Sequence, residues 1–176
     1  GLCAIALHAL GHGITQALWD VRRLIGWLRR LDGMPIGVYG QSLGGFLTTL
    51  LAGLEPVDGV VAGVPFVDVL DLMAHHGPPA QYSSVLRADS AYAAFRTVSP
   101  LALAPVLPAD RRTVLAGRVD QLIPTAQSIR LEQAWRPSRV HWFDGGHAGY
   151  GWSRQNLKVV TDFLGYTLSA AGGRHT

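Results

Sequence analysis

The chain has 176 residues, 48% of them hydrophobic and only 15% charged, with a net charge of +3. That size suits one domain over residues 1–176 with no internal repeat, and the longest apolar runs are far too short to cross a bilayer, which excludes a membrane span. A single cysteine, Cys3, excludes an intramolecular disulfide and a cysteine-built metal site.

The basic excess does not point to nucleic acid. Arginines are scattered, with doublets only at Arg22–Arg23, Arg29–Arg30 and Arg111–Arg112, and Lys158 is the only lysine. No aromatic platform lies among them, so no nucleic-acid partner is expected. Neither an initiating Met nor a basic-then-apolar leader opens the sequence, so a cytoplasmic location is the expectation.

In chain order, Ile14, Leu18, Val21, Ile25, Leu28 and Leu31 recur at helical spacing before Gly33, which predicts an amphipathic helix. "MPIGVYG" then reads as a short buried strand, and residues 43–54 as a helix. "VDGVVAGVPF" and "RTVLAGRVD" are further strands. The helix "TAQSIRLEQAW", the strand "SRVHWFDGG" and a last helix over "SRQNLKVVTDFLGYTL" complete the pattern, with Leu157, Val160, Phe163 and Leu164 on one face. Strands that alternate with helices predict a mostly parallel sheet covered on both faces, a three-layer α/β architecture. Residues 67–108, between the second and third strands, are too long for a simple crossover and read as a helical, lid-like insertion.

Between the first strand and its helix stands "GQSLGG". Gly40-Gln41-Ser42-Leu43-Gly44 fits G-x-S-x-G, in which a sharp strand-to-helix turn lifts a serine hydroxyl above the sheet. Gly40 and Gly44 are expected to let strand and helix pass close to that serine. Without partners the same stretch is a glycine-rich turn with an idle serine, because a serine hydroxyl is a poor nucleophile until a base takes its proton. A base and its carboxylate follow in order. Asp120 ends the third strand, and His147 follows the fourth in "DGGHAGY". Parallel-sheet proteins place their sites at the carboxyl ends of strands, where Ser42, Asp120 and His147 all fall.

Rival residues are weighed beside these. Asp68, just after the second strand, is the reserve acid. Asp144 is expected to shape a turn, and His75 and His76 to lie in the lid, either touching substrate or, the favoured reading, in a solvated loop. His8 and His12, four apart, lack a third ligand nearby and are read as structural; no metal and no cofactor are expected.

"GQSLGG", "AGRVDQLIP" and "GGHAGY" together resemble the α/β-hydrolase superfamily, with a flavour closest to its bacterial esterase-like members. The resemblance spans nearly the whole chain and implies a serine nucleophile, an acyl-enzyme and a small acyl ester substrate. Ser42 at that position also argues against a dehalogenase, which needs an aspartate there. The complete superfamily fold has about eight strands, whereas this sequence supplies only the four that would be its last. Leu43 can donate its backbone N–H to an oxyanion, but the stretch that normally donates a second is lacking. Two readings follow: a serine esterase, or a non-catalytic hydrolase-fold fragment serving as an assembly module. The edge of the first strand, with its missing neighbours, is expected to make the chain a homodimer.

Overall fold

A computed structural model describes residues 2–31, 33–77, 84–86, 88–136 and 138–173. The expected insertion therefore includes positions, 78–83 and 87, that lie outside the described residues. Helix α1 (Leu2–Leu31) leads into strand β1 (Gly37–Gln41) and helix α2 (Leu43–Leu54), followed by β2 (Gly59–Gly63). Short helices α3 (Val69–His75) and α4 (Asp89–Phe95) precede β3 (Arg112–Gly117). Then come α5 (Thr125–Ala134), β4 (Val140–Phe143) and α6 (Arg154–Gly172). The four strands are parallel in the order β1-β2-β3-β4, with Tyr39 opposite Val61, Ala62 opposite Val114, and Ala116 opposite Trp142.

Strand periodicity sorts the helices into two layers. Val60, Ala62 and Val114 pack with Ile25 of α1, Leu51 of α2 and Leu131 of α5. The intervening Val61 and Leu115 pack with Val160 of α6 on the opposite face. Glycines allow the close approach of α6. A Cβ on Gly59 would lie 2.3 Å from Thr167 Oγ1, and one on Gly37 would lie 3.0 Å from Leu164. The result is the three-layer parallel arrangement expected from the sequence.

Three features differ from that expectation. Helix α1 starts at Leu2 rather than near Ile14, and Leu7 of its early turns packs with Phe46, Leu50 and Leu70. Leu28 and Leu31 do not continue the buried stripe of Ile14, Leu18, Val21 and Ile25. With Leu24 and Trp27 they form a second apolar stripe at i, i+3, i+4, i+7 that is 37–56% exposed. Leu157 is likewise 59% exposed, while Val160, Phe163 and Leu164 of the same helix pack against the sheet.

Two ion pairs to one carboxylate fix α1 against α2. Glu55 Oε1 accepts from Arg22 Nε at 2.7 Å, and Oε2 from Arg29 Nη1 at 3.0 Å. Burial alone would raise the Glu55 carboxyl, but the two arginines outweigh it and hold the group below its usual range. A carboxyl depressed in the folded state stabilises at neutral pH, and that contribution is lost as pH falls through its folded value.

Candidate active site

At Ser42 the chain must turn from β1 into α2 within one residue. Ser42 takes φ 55° and ψ −115°, a conformation that costs a non-glycine residue about 1–3 kcal/mol. Its N–H donates to the Gly63 carbonyl at 2.9 Å, so β2 holds the strained residue in place. A Cβ on Gly40 would lie 2.2 Å from the Gly44 carbonyl oxygen, and one on Gly45 would lie 2.6 Å from the Gly63 carbonyl oxygen. Gly40 thus has the expected reason to be glycine. Gly44 does not: its Cβ direction is open space, and Gly45 is the second residue the close packing requires.

Ser42, Asp120 and His147 are brought together from three strand ends. The Ser42 hydroxyl lies 2.9 Å from His147 Nε2, and Asp120 Oδ2 lies 3.0 Å from His147 Nδ1. Asp120 Oδ1 accepts the N–H groups of Leu122 and Ile123, each at 2.9 Å, which leaves Oδ2 for the imidazole. The carboxylate side chain is 3% exposed and the imidazole 16%. A proton on Nδ1 facing Asp120 leaves the Nε2 lone pair to accept from the serine hydroxyl. Leu43 opens α2, so its N–H belongs to a first turn that has no intrahelical acceptors.

The reserve acid is elsewhere. Asp68 caps α3 by accepting from Asp71 N–H at 3.0 Å, and its other oxygen lies 3.3 Å from Arg130 Nη1. Asp144 is 93% exposed and pairs with Arg118. His76, expected in a solvated stretch, has its Nε2 2.7 Å from the Leu122 carbonyl and so reaches from the insertion to the Asp120 turn. Among the described residues, no three His, Cys, Asp or Glu side chains gather as a metal site, and no helix is long and apolar enough to cross a membrane.

Sequence reasoning missed the support beneath the turn. Tyr150 packs its ring over Gly63 on the α6 face, where a Cβ would lie 2.4 Å from the phenol oxygen and 2.6 Å from Cζ. Its backbone N–H also donates to the His147 carbonyl at 3.4 Å. One residue therefore touches both the histidine loop and the strand end that holds Ser42. Burial first, and then neighbouring Tyr39, push the phenol far above its ordinary value, so it stays protonated. Gln127, fully buried, accepts from Val67 and Asp68 N–H and donates to the Asp68 carbonyl, fixing the chain after β2. No local pattern announces either residue, because each acts on a segment far away in sequence.

A Gly63→Ala variant should therefore melt about 3–10 °C below wild type, since the new methyl displaces the phenol. Adding Tyr150→Val should recover part of that loss in the same thermal melts.

The match to a known family covers nearly all of this architecture. A model of the prolyl oligopeptidase family matches residues 20–174. The chain belongs to that family. An uncharacterized protein of Mycobacterium tuberculosis is 36% identical over 157 residues, which cover 85% of this chain and 37% of the relative. The chain thus spans little more than a third of that relative's length. Among solved structures, a Pyrococcus horikoshii acylaminoacyl peptidase superimposes with TM-score 0.69 at 16% identity, over 93% of this chain and 30% of that one. An acetyl xylan esterase of Thermoanaerobacterium gives TM-score 0.65 at 20% identity, over 84% of this chain and 51% of its own. These likenesses show the α/β-hydrolase fold. This member of the prolyl oligopeptidase family is accordingly a serine-hydrolase-family chain carrying part of that fold.

Proposed function

We propose that the chain hydrolyses carboxylic esters through an acyl-enzyme, with Ser42 as nucleophile, His147 as base and Asp120 as the residue that orients the imidazole. The 2.9 Å approach of Ser42 Oγ to His147 Nε2 is the observation that carries the reading. Ser42 Oγ attacks the ester carbonyl carbon while its proton passes to His147 Nε2. The tetrahedral oxyanion is met by the Leu43 N–H, and its collapse expels the alcohol, which leaves with the proton from Nε2. Water then repeats the sequence, with the imidazole again as base, and releases the carboxylic acid.

In this reading the insertion after β2 serves as a lid, its described residue His76 reaching the acid turn at the Leu122 carbonyl. Short p-nitrophenyl esters test the activity, and a peptide p-nitroanilide measured alongside tests the peptidase reading that family membership favours. Failure to label with a fluorophosphonate would support the alternative, a non-catalytic assembly module.

The chain also self-associates in this reading. Among the described residues no strand pairs with the outer edge of β1, and Leu24, Trp27, Leu31, Met34 and Tyr39 stand exposed nearby in sequence. Half-exposed aromatic and aliphatic side chains of this number offer roughly 500 Å² per copy, and a two-fold pair then reaches about 1,000 Å², the lower bound for a stable interface. Light scattering at micromolar concentration should give a dimer, and Trp27→Glu with Leu31→Glu should give a monomer. A wild-type monomer would sink the idea.

A further inference from the structure

A cavity of about 450 Å³ lies between the early turns of α1 and helix α4, built from residues the Ser42 chemistry does not use. Its volume falls in the range of small-molecule sites. The base is apolar: Leu7 and Val98 are buried there, and Phe95 closes one side. The rim is polar. His8 and His12, one turn apart on the same helix face, both line the cavity and are exposed, with Ser90 opposite.

Gly11 lies between the two histidines on the same wall. A Cβ there would meet only Phe95 Cζ at 3.9 Å, an ordinary contact, so this wall has room for a side chain that glycine leaves unfilled.

The chemistry of the wall selects the head group. Among the described residues no Asp or Glu lines the cavity, so no carboxylate there opposes an anion. Two imidazoles and the Ser90 hydroxyl supply donors, while the lining hydroxyls of Thr15 and Thr97 donate to the Gly11 and Ala94 carbonyls; among the described residues no third ligand joins the histidines to hold a metal. An acceptor-rich, anionic head on an apolar tail is the complement.

We propose that this cavity binds an apolar carboxylate, its tail against Leu7, Phe95 and Val98 and its carboxylate between His8 and His12. Fatty carboxylates are also the acid products of ester hydrolysis, but binding here does not need Ser42 and stands apart from the proposed activity.

Calorimetric titration with decanoate tests it on wild type and on the Ser42→Ala protein, which should bind alike. Gly11→Leu fills the cavity and should weaken decanoate at least tenfold while melting no lower than wild type. His8→Ala with His12→Ala removes the donors and should weaken decanoate about tenfold while changing decanol binding little. The proposal is overturned if wild type binds no decanoate below its micelle concentration. It is equally overturned if Gly11→Leu binds as wild type does, which would put the fatty acid on the exposed stripe of α1. Should Gly11→Leu fail to fold, the histidine double variant decides by the same criterion.

Discussion

Ser42→Ala should lower ester hydrolysis by about three orders of magnitude or more and abolish fluorophosphonate labelling, because no other group in the site can form the acyl-enzyme. The comparison is clean because alanine keeps the same φ preference and leaves the N–H bond to Gly63 in place. A Ser42→Gly variant adds an independent check on the strain. Glycine adopts φ 55° without steric cost, so it should be equally inactive yet melt above the alanine variant. If alanine retained the wild-type rate, the serine would be idle and the geometry a relic of ancestry.

Much of this was legible because it is local or follows strand order. Four short apolar runs separated by helical periods specify a parallel sheet, and a residue that ends such a strand is at the sheet's functional edge whatever its distance in sequence. Ser42, Asp120 and His147 could be placed that way, and the structure brings their side chains into one hydrogen-bonded line. The start of α1 was less legible, since Gly11, Gly13 and two histidines dilute the periodicity over residues 2–13. Leu28 and Leu31 misled for another reason: their spacing fits both stripes of one helix, and only the packing of α1 on α2 decides which stripe is buried. Gly45 and Gly63 were invisible because the need for no side chain at Gly45 comes from the Gly63 carbonyl, and that at Gly63 from Tyr150, 87 residues further on. Even the role of Asp68 depends on Arg130, which is 62 residues away.

The two aspartates can be separated by the same substitution at each. In Asp120→Asn, the amide oxygen can keep accepting from Leu122 and Ile123, which turns the amide nitrogen toward His147 Nδ1. That nitrogen is a donor, so the imidazole must present a lone pair at Nδ1 and carry its proton on Nε2. The Ser42 hydroxyl then faces an N–H instead of a base. The expected loss in turnover is about 10⁴, the size known for this substitution in a serine–histidine–aspartate triad, with the fold retained because the shape is conserved. Asp68→Asn removes only a partly exposed pair with Arg130, worth about 0–1 kcal/mol, and asparagine caps α3 as well as aspartate does. Its turnover should stay within a few-fold of wild type. Measured side by side on one p-nitrophenyl ester, the two variants should differ by at least a thousandfold. A larger loss at Asp68 would mean that the acid acting on His147 comes from the end of β2 and not from the Asp120 turn.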